Sequence, residues 1–545
     1  EARSTGGERE LVFQVRTQRK GLDALADRHS RAWHNIWHRG DIVMRDGFRT
    51  QMVLRLHIFH LMQTVSDNTV TMDVGVPARG WHGEAYRGHV FWDELFILPY
   101  LDFCEPAVSR AMIRYRVNRL YKAKRAAAEA GYQGAMFPWQ SGADGREESQ
   151  VVHLNPRSGN WLPDNSWLQR HVSLAIAFNI WRYYTTTGET GFLEMWGAEM
   201  LMEIARFFSS LATYDAAEDR YDLRKVMGPD EYHDGYPGAE EPGLDNNAYT
   251  NVMVAWLMSA ALRAIDRLGA DHCRELCEAV GATAEERARW EHMSRRMKVF
   301  FHGEDSEIIS QFEGYDKLEE FDWEGYRRKY GDIQRLDRIL EAEGRSPNDF
   351  KLSKQADVLM LFYVFSFERL QELFDQLGYR FTQEMWAANV DYYLARTSHG
   401  STLSYVVHSW VMARTRPDEA WENFQKALKA DLDDIQGGTT PEGIHLGAMA
   451  GTVDLVQRCF TGMDVRGDCL HLDPALTEHI REMRLRVRYL GNWLHIKLQN
   501  QELCIEVDPS WRRPVPVSVR GQYRELDPGA SHCFPLHGPR EDVAE

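Results

Sequence analysis

From about residue 46 to about 460, apolar positions recur every three to four residues, the spacing of amphipathic helices. About eleven such stretches are read: 50–64, 107–130, 168–186, 192–213, 246–268, 283–300, 354–375, 381–395, 401–414, 417–431 and 443–458. From about 469 the period shortens to two. In MRLRVRYLGNWLHIKLQNQELCIEVDPS, Leu485, Val487 and Tyr489, then Trp493, Leu494, Ile496 and Leu498, alternate or cluster as in antiparallel strands. Near the start, ELVFQVRTQ reads as a single strand, and the stretch holding Ala32, Trp33, Ile36 and Trp37 as a helical linker. The expected division is a residual strand and linker over 1–45, a helical block over 46–465 and a small β-domain over 466–545. Gly, Pro, Trp and His concentrate between the helices, as where a rigid scaffold presents functional loops at one end. Periodicity alone leaves an α-toroid and a solenoid both open, and no strict repeat is visible.

A chain of 545 residues exceeds the size at which one core keeps growing, so one large domain with smaller attachments is expected. The 81 acidic against 64 basic residues give a formal charge of −17, which argues against a nucleic-acid partner. Seven cysteines, an odd number without CxxC pairs, suggest neither a disulfide framework nor a zinc ribbon, and no metal is assigned. No apolar run reaches the ~18 residues of a membrane span and no charged leader precedes one, so a cytoplasmic protein with no membrane partner is expected.

Four segments could carry chemistry. ARGWHGEAYRGHVFWDELFILP, residues 78–99, crowds Arg79, His82, Glu84, Tyr86, Arg87, His89, Trp92, Asp93 and Glu94 together. Aromatic faces beside carboxylates suit a pyranose, which has an apolar C–H face and a rim of hydroxyls; the plain alternative is a buried polar loop. GPDEYHDGYPGAEEPGLDNNAYTN, residues 228–251, sets Asp230 beside Glu231, a pair able to split into acid and carboxylate, although DE dipeptides are ordinarily solvated surface. KQADVL, residues 354–359, opens a helix with Lys354 and Gln355. RTSHGSTLS, residues 396–404, gathers hydroxyls, a histidine and a glycine before another helix. It reads equally as an anion cradle and as ordinary capping.

Taken together, RGWHGEAYRGHVFWD, GAMFPWQ at 134–140, GPDEYH with DNNAYTN, KQAD, HGSTLS, and GGTTPEGIHLGAMAG at 437–451 strongly resemble glycoside hydrolase family 65, the maltose, trehalose and kojibiose phosphorylases. Six blocks in one order across about 400 residues carry the likeness. It implies a mainly α fold: an (α/α)6 barrel with a helical linker before it and a small C-terminal β-domain. The family's N-terminal β-sandwich is expected to be absent, since one strand alone precedes the linker. Residue by residue, it implies Glu231 as general acid, Trp92, Asp93, Lys354 and Gln355 around the transferred glucosyl ring, and His399, Gly400, Ser401 and Thr402 around phosphate. Two departures stand out: FWDE where many members read FWDTE, and Gly400 where others often carry aspartate.

The reaction so implied is reversible phosphorolysis of an α-glucosyl disaccharide to β-glucose 1-phosphate and a free sugar, with inversion. Inorganic phosphate is the co-substrate and no cofactor is needed. Glu231 must be protonated near neutrality, by burial or by a neighbour such as Asp230, while phosphate, already a dianion, needs no protein base. A homodimer, and an upstream domain or separate chain, are the expected partners. A hydrolase of the same fold and a non-catalytic sugar-binding protein are the competing readings.

Overall fold

The structure, a computed structural model, describes residues 2–537 apart from 46, 82, 434, 436–439, 476–477, 500 and 511; for 2–20 it describes the backbone alone. His82, part of the GGTTPEG run and the chain's last eight residues thus lie outside the described residues.

Six helices, Glu94–Cys104, Val172–Thr187, Ala248–Arg267, Asp357–Val364, Thr402–Met412 and Leu446–Asp454, form a closed inner ring in which each packs on the next and the last returns to the first. Phe48–Thr64, Pro106–Val117, Ala198–Leu211, Ala284–Arg296, Phe367–Leu377 and Pro417–Leu428 flank them outside, completing an (α/α)6 barrel. An inner helix is covered on all sides and so must be apolar all round. Glu94–Cys104, ELFILPYLDFC, buries every residue. It has no polar face, which is why a search for amphipathic periodicity passes over it. Two expected stretches are split: 107–130 breaks at Asn118 and Arg119, and 354–375 at Phe365 and Ser366, where the Ser366 hydroxyl caps the next helix by accepting from the Arg369 N–H. Ala248–Arg267 is long and apolar enough to cross a membrane, but 83% of its apolar window is buried in the barrel.

The expected strand at residues 10–18 is not formed: the stretch lies within a helix, Ala2–Gly40, interrupted by Gly21 at φ 70°. Among the described residues no strand pairs with it. A helix satisfies its own N–H and C=O groups, whereas a lone strand cannot. The linker instead contributes Ile42–Met44, which joins a five-stranded sheet by pairing with Glu482–Tyr489 in the register Ile42 to Leu485. Asn492–Gln499, Glu502–Val507 and Ser531–Pro535 complete that sheet; Asp464–Arg466, Cys469–Leu472, Val515–Val519 and Gln522–Leu526 form a second. Cys504 and Cys533 are direct cross-strand partners and form a disulfide, contrary to the expectation drawn from cysteine spacing. They stand 29 residues apart in sequence, and only strand register brings them face to face.

Candidate active site

Most of the candidate residues stand just before or at the start of an inner helix, and Glu231 lies in the long loop that leads into Ala248–Arg267, so the loops that carry them gather at one end of the barrel. That end presents helix N-termini, whose unpaired N–H groups and dipoles favour negative charge. Trp92 and Asp93 lead into Glu94–Cys104, Lys354 and Gln355 into Asp357–Val364, and His399 to Ser401 into Thr402–Met412.

Lys354 Nζ donates to Glu231 Oε2 at 2.7 Å, and the Glu231 side chain is about half exposed. Burial works to lower the Lys354 ammonium, but the Glu231 carboxylate outweighs it and holds the ammonium above its ordinary value. Asp93 lies within electrostatic reach of Glu231 and Arg79, and burial, the largest influence, pushes its carboxyl up to about 6. The Arg79 guanidinium donates to the Gly443 carbonyl at 2.6 Å and to Glu442 at 3.0 Å, tying the 78–99 segment to the last block of the barrel. Tyr86, Arg87 and Gly88 in that segment all have positive φ, of 59°, 54° and 72°, a run of left-handed backbone that L side chains rarely adopt. Tyr86, 45% exposed, feels the charges of Glu231, Lys354, Arg79 and Asp93.

Two residues assigned to the sugar ring are deeply set. Trp92 is 7% exposed, edge-on to His171 with ring centres 4.8 Å apart, and also touches Trp139, Phe96 and Tyr249. Gln355 is 5% exposed and its amide turns toward Met360. Glu94 points into the core, 2% exposed and paired with Arg116 at 3.0 Å, so it belongs to the packing between helices.

Asp230 does not serve Glu231 as a neighbouring acid. It is 1% exposed, and its carboxylate accepts from the Lys354 and Tyr232 N–H groups, the Gln311 amide and the His233 ring. His233 donates its other ring N–H to the Phe350 carbonyl at 2.9 Å. Burial acts to lower His233, and Asp230 more than offsets it, so the ring is held above its ordinary value against that carboxylate. The Asp230 N–H donates to Asp357 at 2.6 Å, and Asp357 also accepts from Asn247. Burial and then the Asp230 charge push Asp357 up. This network clamps the GPDEYH loop to the KQAD helix and thereby aims Glu231. GPDEYH and KQAD showed Asp230 and Asp357 in sequence, but not their pairing.

The HGST loop lies against the acid loop. The Tyr232 hydroxyl donates to the Gln334 carbonyl at 2.8 Å and is 3.0 Å from the Ser398 hydroxyl. A Cβ on Gly400 would come within 2.6 Å of the Gln334 carbonyl, 3.0 Å of the Tyr232 hydroxyl and 3.1 Å of Lys354 Cγ. Glycine is required there by close approach, and the aspartate that other members often carry has no room. The His399 ring stacks on Tyr405 at 4.5 Å and meets the Ser404 hydroxyl at 2.9 Å. Burial, helped by the charges of Lys426 and Arg327, pushes its imidazole down to about 4. The ring is therefore neutral near pH 7, and positive charge comes from Lys426 and Arg327 near it. Ser401 caps the following helix by accepting from the Leu403 N–H, and Thr402 is 4% exposed.

The glycosyl hydrolase family 65 central catalytic domain matches residues 55–454, and the family's C-terminal domain matches residues 463–526. An uncharacterized glycosyl hydrolase of Mycobacterium tuberculosis is 50% identical over 92% of this chain and 38% of its own length. A trehalose 6-phosphate phosphorylase of Lactococcus lactis is 38% identical over 89% of this chain and 61% of its own, and a kojibiose phosphorylase of Halothermothrix orenii 30% identical over 93% and 63%. The chain thus spans 38 to 63% of the length of these curated relatives. A solved structure named for a kojibiose phosphorylase from the human microbiome shares the fold, with a TM-score of 0.81 at 22% identity over 97% of this chain and 68% of that one. Two family domains matched in order over most of its length place the chain in glycoside hydrolase family 65.

Proposed function

We propose that this chain carries the catalytic machinery of an inverting α-glucoside phosphorylase. Glu231 gives its proton to the glycosidic oxygen, the glucosyl ring rests among Trp92, Asp93, Lys354 and Gln355, and phosphate held by His399, Gly400, Ser401 and Thr402 attacks the anomeric carbon from the opposite face. The C–O bond to the acceptor breaks as the bond to phosphate forms, yielding β-glucose 1-phosphate and a free sugar, with no metal or organic cofactor involved. The supporting observation is the fit of Gly400 against Lys354 and Tyr232, which sets a hydroxyl-lined helix N-terminus beside the acid loop. Residues 396–404 contain no carboxylate. A dianion is well served by such donors, and a neutral water gains much less from them.

The hydrolase reading draws on one observation, that Asp93 is a second carboxylate within electrostatic reach of Glu231 and could act on water. Neutral and phosphorylated disaccharides both belong in the assay, since relatives named for each are among the matches. Release of β-glucose 1-phosphate only when phosphate is added supports the phosphorylase. Free glucose released equally fast without phosphate moves the function to hydrolysis. Replacing His399 and Ser401 together by alanine should raise the KM for phosphate far more than that for the sugar.

A further inference from the structure

We propose that Arg335 and Arg338 form a subsite for the phosphate group of a phosphorylated acceptor sugar. The proposal rests on the phosphorylase reading above and names the kind of acceptor. Glu231 protonates the oxygen that the departing sugar keeps, so that sugar must lie on Glu231's side of the cleft. What stands there is the segment 334–338, joined to the acid loop by the Tyr232 hydroxyl on the Gln334 carbonyl.

Arg335 lies within electrostatic reach of Glu231 and Tyr232, with 35% of its side chain exposed. Asp337 takes two of its donors, Nε at 3.1 Å and Nη2 at 2.6 Å, and the remaining Nη1 has no hydrogen-bond partner among the described residues. Arg338 is half-buried one helical turn further on. Its guanidinium makes no hydrogen bond or ion pair among the described residues. Burial and the like charge of Arg335 both act against it, and the acids that bear on it are Asp337, already bidentate on Arg335, and Glu442, already on Arg79 at 3.0 Å.

The local balance is thus positive. Within their own segment Arg335 and Arg338 share one carboxylate, Asp337, and Lys354 loses its partner's charge when Glu231 takes up the proton it must deliver. Neutral hydroxyls leave half-buried guanidinium groups poorly compensated, whereas a phosphate monoester matches their planar donor pattern and supplies the missing charge. In a chain of net charge −17 the pair is not part of a general basic surface. Inorganic phosphate is the competing source of the same chemistry. Glu442, one of the acids that bear on Arg338, holds Arg79 of the 78–99 segment at 3.0 Å, which sets Arg338 toward that segment, while Gln334 four residues earlier meets the 396–404 loop.

The test runs the reaction in reverse, with β-glucose 1-phosphate as donor and glucose or glucose 6-phosphate as acceptor. Wild-type protein should use glucose 6-phosphate with much the higher kcat/KM. Arg338→Ala should raise the KM for glucose 6-phosphate about 10- to 100-fold, the size of one lost charge-assisted hydrogen-bonded contact, and leave the KM for β-glucose 1-phosphate within about twofold. Arg338→Lys should recover part of the loss. Equal use of the two acceptors by the wild type overturns the proposal. So does a loss in Arg338→Ala that falls on β-glucose 1-phosphate or inorganic phosphate, which would put the arginines at the attacking group. If neither acceptor is glucosylated, the phosphorylase reading fails, and calorimetry still decides the subsite: glucose 6-phosphate binding that is lost in Arg338→Ala upholds it, and no binding to the wild type rejects it.

Discussion

Lys354 holds Glu231 at 2.7 Å, so a substrate must share or displace that contact before the acid can face a glycosidic oxygen. Glu231→Gln keeps the shape and removes the proton, and kcat should fall about 100- to 10,000-fold with sugar binding retained, the range of general acid catalysis. A variant keeping more than about a tenth of the wild-type kcat would remove Glu231 from that role. Asp93 offers a second measurement. Its carboxyl sits at about 6 in the fold against 3.8 unfolded, chiefly through burial, so the folded state binds the proton more tightly. Its contribution to stability is fully present below pH 3.8 and is lost as pH rises through about 6. Asp93→Asn should therefore be more stable than wild type by up to about 3 kcal/mol at pH 7.5 and about half that at pH 5, while losing activity. A gain in Tm that does not shrink between those pH values would contradict the assignment. Of these residues, Glu231, Asp93 and Lys354 were singled out in the sequence because the blocks that hold them resemble those of the family, not because their local chemistry marked them. Arg335 and Arg338 were not: QRLDR reads as an ordinary charged helix start, and only the fold sets it against the acid loop.

Most helices were readable from their period, including the fully buried Leu446–Asp454, but one inner helix was passed over. Glu94–Cys104 has no polar face to mark it, and residues 10–18 mimic a strand because short apolar runs do not separate the two states until partners are known. The contact between Leu446–Asp454 and the start of Glu94–Cys104 gives an element-scale prediction. A Cβ on Gly447 would lie 2.7 Å from Asp93 Oδ1, so Gly447→Ala must push that carboxylate aside. The expected result is a raised KM for the donor sugar with little change in the KM for phosphate, at a stability cost of about 1 to 3 kcal/mol. Equal effects on both KM values would mean that Asp93 does not hold the ring.

At the scale of the molecule, helix count left a toroid and a solenoid open and the ordered motif blocks chose the barrel through their likeness to the family, whereas the cross-link of the β-domain depended on register. The Cys504–Cys533 bridge closes a loop of 29 residues, for which chain entropy gives a stabilisation of about 3 to 4 kcal/mol. A reductant should lower the unfolding temperature of the β-domain in calorimetry and leave kcat at 25 °C unchanged. An unaltered transition would show that the bridge does no such work. The closed inner ring has a kinetic consequence as well. Asp93 and Gly447 touch although they stand roughly 350 positions apart, so the glucosyl pocket depends on one of the longest-range contacts the chain can make, the kind formed late because loop closure comes first. On a ribosome, Trp92 and Asp93 emerge long before the helix that covers them. Without that last helix the ring stays open on the Gly447 side of Asp93, so the proposed activity should appear only after synthesis has passed residue 454.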